Sequence, residues 1–161
     1  YYFNNQEGGV EGNKWTSKFI SNNKQYDTIQ SSFKSEVLKL SKNNKIILIS
    51  PIPAIGWDPN KKIWFSRKNK FSKTFSLTEV TTSYEVYKNR ARSSFKLLDS
   101  IKNDNVYRVY PHRLFCNNAI KNRCITHNDK DIFYSDDDHP SYKGAEMINE
   151  LIMKEIKKIE N

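Results

Sequence analysis

Lys45-Ile46-Ile47-Leu48-Ile49-Ser50 is the stretch whose reading decides the fold. Its apolar run is short and almost uninterrupted, the pattern of a strand buried on both faces of a parallel sheet. Asn43-Asn44 precede it as a turn, and Pro51 and Pro53 end it. The residues that follow, Ile52 to Asn60 (IPAIGWDPN), have no period and read as a loop at the strand's carboxyl end. Open α/β sheets place their ligands there.

Working outward, Ile29, Phe33, Val37 and Leu40 recur at spacings of four, four and three, which predicts a helix over 27–42 capped by Asp27 or Thr28. Residues 61–76 are basic and aromatic without a period and are expected to form a surface loop. Val80, Tyr84, Tyr87, Ala91, Phe95, Leu98 and Ile101 predict one long helix over 77–102. A second strand, VYRVY, is expected over 106–110, a loop over 111–130 and a short edge strand over 131–134. A last helix over 142–159 puts Ala145, Ile148, Ile152, Ile156 and Ile159 on one face. Strands alternating with helices imply an α/β fold, a parallel sheet covered by helices as in a three-layer αβα sandwich. Two clear strands are too few to complete it, so further strands are expected upstream of Tyr1. Gly8-Gly9 and Gly12 mark residues 1–26 as a loop-rich lead-in, and 27–161 forms the α/β body.

A chain of 161 residues suits one folding unit. Its net charge of +9 comes mostly from Lys scattered along the chain. Such charge attracts anionic lipid, acidic polysaccharide or nucleic acid alike. The last is set aside, because no Lys/Arg cluster is interleaved with aromatics as a base-stacking surface would be. No run approaches the length of a membrane span, and no signal-peptide pattern is present in the sequence.

The chemistry centres on Asp136-Asp137-Asp138-His139, in a loop that leads into the last helix. At a spacing of three, the Asp136 carboxylate can turn back on the His139 imidazole. Accepting the Nδ1 proton fixes the tautomer and frees Nε2 to take a proton from a hydroxyl nucleophile. The competing explanation is a solvated acidic turn, with Asp137, Asp138 or Ser141 capping the helix. Spacing alone favours the cap. Cys116 and Cys124 admit free thiols, a disulfide, or zinc ligation with His112 and His127 in an H-x3-C-x7-C-x2-H pattern. Otherwise His112 and His127 read as ordinary loop histidines. Trp15, Trp57 and Trp64 read first as packing aromatics, with Trp57 the best placed to stack on a sugar.

Tyr134 to Ala145 (YSDDDHPSYKGA) closely resembles the last conserved block of the SGNH hydrolase superfamily, above all the SGNH domains fused to acyltransferase-3 type membrane O-acyltransferases. The strand and loop IILISPIPAIGWDP, the cysteine pair, and the helix with Tyr84, Arg90 and Arg92 are similar to that group over roughly residues 30–161. Pro140 departs from the Leu usual after the His. The resemblance implies His139 as general base, Asp136 as its orienting partner, and an acceptor passing over Trp57, Gly56 and Ile55. It also implies an extracytoplasmic domain on the periplasmic face of a bacterial inner membrane, where a Cys116–Cys124 disulfide is expected. No cofactor and no metal are implied.

The Gly-Asp-Ser turn that carries the family's nucleophile is not found in this sequence, and its oxyanion-hole residues cannot be assigned. The chain therefore reads as the C-terminal two-thirds of such a domain, inactive by itself because oxyanion stabilisation is a large part of the catalysis. The expected function is transfer of an acetyl group, delivered by a membrane acyltransferase domain, to a hydroxyl of an envelope polysaccharide through a Ser-His-Asp relay. A free-standing SGNH esterase or deacetylase is the alternative within catalysis, and a non-catalytic envelope-glycan binding module the alternative outside it.

Overall fold

A computed structural model describes residues 23–56, 58–68 and 80–160. In chain order the elements are α1 (Asn23–Leu40), β1 (Ile46–Ile49), α2 (Pro59–Lys68), β2 (Thr81–Ser83), α3 (Tyr84–Arg90), α4 (Arg92–Ser100), β3 (Val106–Val109), α5 (His112–Phe115), β4 (Arg123–Ile125) and α6 (Tyr142–Glu160). The fold is α/β. β1 and β3 pair in parallel, Ile46 opposite Val106 and Ile49 opposite Val109, while β2 and β4 form a separate antiparallel pair. A parallel pair needs a crossover, and α2 through α4 supply it.

Two cores hold these elements. Leu48 and Val106 of the parallel pair bury against Val37 of α1 and Ile101 after α4. Arg108 tightens this side by donating to the carbonyl of Leu98, which also accepts the Ile101 amide, and to that of Ile101 just after α4. The second core gathers Tyr87, Ala91, Phe115, Phe133 and Tyr134 around Cys116 and Cys124, with Ile55 reaching in from the loop after β1.

Several expectations change. β1 is not buried on both faces: Leu48 is buried and Ile49 is 47% exposed, and among the described residues β1 has a strand partner on one edge only. α1 begins at Asn23, a turn before the expected Asp27 or Thr28 cap, and Ile29 and Leu40 of its apolar stripe are exposed. Part of the expected 61–76 loop is α2, started by an Asp-Pro pair. The Asp58 side chain accepts from the Lys61 amide and Pro59 takes the first helical position, where its missing N–H costs nothing. The long 77–102 helix is interrupted. Thr81 and Thr82, β-branched, pair with β4, and Ser83 starts α3 by accepting from the Val86 amide. A break at Ala91 separates α3 from α4. Burial still follows the predicted stripe, for Val80, Tyr87, Ala91 and Ile101 are all buried. The expected 111–130 loop contains α5 and β4, and the 131–134 edge strand is reduced to isolated bridges, His127–Ile132 and Tyr134–Pro140.

Cys116 and Cys124 form a disulfide. It closes a small loop in which Asn117 and Asn122 adopt left-handed backbone, a conformation Asn tolerates. With both sulfurs bonded to each other there are no thiolates for zinc, and the two histidines of that pattern lie buried instead. His112 stacks among Tyr84, Tyr87, Phe95 and Tyr110, and burial pushes its pKa down to about 4. His127 is fully buried, its Nδ1 against the Asn128 carbonyl.

The disulfide spans a sequence separation of 8, so its chain-entropy contribution is about 2–3 kcal/mol. Reduction, or replacement of both cysteines by serine, is expected to lower the thermal unfolding midpoint by several degrees. An unchanged midpoint with reductant would show that the bond does not form in solution.

Candidate active site

The loop between Tyr134 and Ser141 is closed by its own backbone. The Ser135 amide donates to the His139 carbonyl at 2.9 Å, and the Ser135 hydroxyl to that of Pro140 at 3.1 Å. Tyr134 and Pro140 bridge as the last rung before the loop opens. Below it, the Phe133 amide donates to Thr126 and the Ser141 amide to Phe133, which ties the loop's two ends to the disulfide core.

α6 leaves this loop across a very close backbone contact. Ser141 caps it, its hydroxyl accepting from the Gly144 amide at 3.1 Å while donating to the Ile132 carbonyl at 2.5 Å. A Cβ on Gly144 would stand 2.1 Å from the Phe133 carbonyl oxygen. Only glycine lets the helix cross there.

At the loop's tip the Asp136 carboxylate organises everything near it. Its Oδ1 accepts the amides of Asp138 at 3.0 Å and His139 at 2.8 Å. The His139 ring then folds back so that Nδ1 lies 3.0 and 2.9 Å from the two Asp136 oxygens. These amide bonds, with the imidazole's help, pull the Asp136 pKa down to about 2. Asp138 is a second partner, its Oδ1 2.9 Å from the same Nδ1. The hydrogen bond to Asp136 and the charge of Asp138 both raise the His139 pKa. The His139 side chain is 72% exposed. With Nδ1–H turned to carboxylates, Nε2 is the free basic atom. The arrangement can accept one proton at Nε2 and stabilise the imidazolium that results.

The site stands at the carboxyl end of β1. The Ile55 amide donates to the Asp137 carbonyl at 2.8 Å, and the Asn60 side chain donates to the carbonyls of Ser135 at 2.8 Å and Tyr134 at 3.3 Å. The loop after β1 and the start of α2 thus clamp the Asp-x-x-His loop from one side. Of the residues expected to touch an acceptor, Ile55 does not: its side chain is fully buried in the disulfide core, and only its backbone serves the site. Gly56 is partly exposed and takes a φ of 75°, which glycine adopts without strain. Trp57, like Trp15, lies outside the described residues. Trp64 is on α2 and 56% exposed.

Sequence reasoning missed Asn60 and Gly144, and singled out Asp138 only as a candidate helix cap and not as a partner of His139. Asp138 was hidden by its own motif, since only one of three consecutive carboxylates was needed to explain the spacing. Asn60 had a visible signal, lying just after the Asp58-Pro59 helix start, and Gly144 sat as a glycine in the first turn of a helix. Asp136, Asp138 and His139 also bring their ligand atoms within 4.8 Å of one another, close enough to chelate a cation, but the contacts between them are those of an ion pair around one imidazole proton.

Comparison with known proteins gives one family. The model of the SGNH domain (fused to AT3 domains) matches residues 1–154. No curated protein and no solved structure matches the chain.

Two outcomes are expected from this geometry. In an NMR titration His139 titrates above the ordinary histidine value of about 6.5. Asp136→Asn lowers that pKa, and Asp138→Asn lowers it less. A wild-type value at or below the ordinary one would show that the carboxylates do not hold the ring. Gly144→Ala must move α6 or the Phe133 backbone and is expected to cost about 1–3 kcal/mol in denaturant unfolding. No loss would mean that the close crossing does not exist in solution.

Proposed function

The chain belongs to the SGNH domains fused to AT3 domains, and from that premise we propose that it serves acyl transfer with His139 as general base and Asp136 as the carboxylate that orients it. The observation that carries this reading is the pair of contacts from His139 Nδ1 to Asp136 at 2.9 and 3.0 Å, on a loop pinned at a strand's carboxyl end. That geometry leaves Nε2 as the atom to which a serine hydroxyl gives its proton. The helix cap is a separate feature, supplied by Ser141, while Asp136 holds two amides of the turn with an oxygen that it also turns to the imidazole.

We further propose that the domain works on the periplasmic side of a membrane acyltransferase and passes an acetyl group to a hydroxyl of an envelope polysaccharide. The serine comes from a Gly-Asp-Ser segment that this sequence does not contain, and the oxyanion hole is formed by that serine's amide with the family's Gly and Asn positions, which have no assigned counterpart in this sequence. In this reading a further strand adds along the edge of β1 that has no strand partner among the described residues and completes a three-layer αβα sandwich. Gly56 and Trp57 contact the acceptor, and Ile55 acts through its amide alone. The net charge of +9 favours an acidic acceptor.

The proton inventory sets the pH dependence. A base must be neutral, and carboxylate contacts raise the His139 pKa, so activity falls as pH drops through a value above the ordinary histidine range. Asp136→Asn should move that inflection to lower pH.

The test uses the whole acyltransferase, with acetylated glycan and free acetate measured together. His139→Ala is expected to reduce glycan acetylation roughly 10²–10⁴-fold, the usual contribution of a general base. Full activity in that variant would end the proposal, and release of acetate without glycan acetylation would replace transfer by hydrolysis. The 161-residue chain alone is expected to turn over no activated acetyl ester, and turnover abolished by His139→Ala would refute that.

A further inference from the structure

On the side of β3 where α5 and the end of α6 meet, a cavity of about 440 Å³ opens to the surface. Val109, Leu114 and Leu151 give it an apolar floor, and five cations stand around it against one carboxylate, Glu155. Those cations differ in what already holds them. Arg108 is spent on the fold, donating to the α4 carbonyls with Asp99 3.6 Å away. Lys158 pairs with Glu155 at 3.0 Å. Arg113 and Lys154 lie within ion-pair distance of no carboxylate among the described residues. The Arg113 guanidinium is held over the Tyr110 ring at 4.5 Å, and the Tyr110 hydroxyl donates to Asp99 at 2.7 Å.

Two simpler explanations cover part of this. Lysines in the last turn of a helix offset its dipole, which accounts for Lys157 and Lys158. A chain of net charge +9 also has cations everywhere. Neither explains why Arg113, from another element, is fixed by a stacked ring at the rim of the same cavity, nor why the floor beneath is apolar. An ammonium and a guanidinium above an apolar floor match a ligand that joins a phosphoryl anion to hydrocarbon.

We propose that this cavity is a docking site for the headgroup of an anionic phospholipid, with Arg113 and Lys154 as its principal cations. The phosphoryl group lies between them, and the first carbons of the lipid rest on Leu114 and Leu151. Docking there would fix the domain's orientation on a bilayer through side chains that the dyad does not use. The inference stands apart from the catalytic proposal, because lipid binding is measured without turnover and neither Asp136 nor His139 takes part.

The test is cosedimentation of the 161-residue chain with vesicles of phosphatidylcholine alone and of phosphatidylcholine containing phosphatidylglycerol. Binding is expected only to the anionic vesicles. Arg113→Glu with Lys154→Glu should weaken it roughly tenfold or more, since each basic side chain near an anionic surface adds appreciably to the attraction. Lys34→Glu with Lys39→Glu, on α1, changes the net charge equally and should weaken it far less. Circular dichroism checks that each variant folds. If the Arg113 substitution does not fold, Lys154→Glu with Lys158→Glu on the exposed face of α6 replaces it. Equal losses in the two charge-matched pairs would reduce the effect to net charge and overturn the site. So would binding to neutral vesicles, or no binding at all.

Discussion

The contact on which the rest depends is the crossing of Gly144 over the Phe133 carbonyl. That carbonyl accepts the Ser141 amide, and a side chain at 144 would collide with it. Because α6 starts there, the nine residues between Thr126 and Asp136 cannot shift without moving either the helix or the disulfide core beneath. Phe133 and Tyr134 pack on Phe115, next to Cys116, so the covalent bond and the close crossing brace the same few residues. Interiors of this density pass displacement along without absorbing it. The exposed tip at Asp136 to His139 is therefore carried on a rigid stem, which is what a dyad needs if its geometry is to exist before anything binds.

How much of this was legible in the sequence differs by element, and the differences have physical causes. β1, β3 and α6 were readable because their apolar residues are continuous or periodic over a whole element. The burial of Val80, Tyr87, Ala91 and Ile101 was readable for the same reason. Their common helix was not, since a three-to-four spacing continues undisturbed through a strand of three residues and a bend at Ala91. Local chemistry decided those points: two β-branched threonines, then a serine cap. α5 and β4 are four and three residues long, too short for any period to declare itself. β4 is held by pairing with β2, far away in the sequence, and the disulfide ties it to the end of α5.

The site divides along the same line. Asp136 and His139 are three residues apart, so a local spacing contained their contact. Ile55 and Asn60 reach the loop from some eighty residues away, and only folding brings them there. The Pro-rich stretch follows a strand, and that position alone predicts that it faces a ligand. It does adjoin the site, yet Ile55 turns inward: apolar area gains more from the core than from the rim of a wet loop. Position in the topology was legible, and the direction of a side chain was not.

The two carboxylates on one imidazole leave a tension that bears on mechanism. Asp136 alone would fix the tautomer, its own charge secured by two amides. Asp138 adds attraction for the imidazolium and so makes Nε2 a stronger base that is neutral less often at low pH. In water this gain is small, because the ring is largely exposed and charge interactions there are screened by a high dielectric. The same contacts strengthen once water is displaced. A nucleophile brought to Nε2 would itself displace that water, so the hydroxyl that needs the base would also sharpen it. On the proposed reading of His139 as base, the carboxylate contacts would count for most with the hydroxyl seated against Nε2, which would reserve the dyad for that hydroxyl.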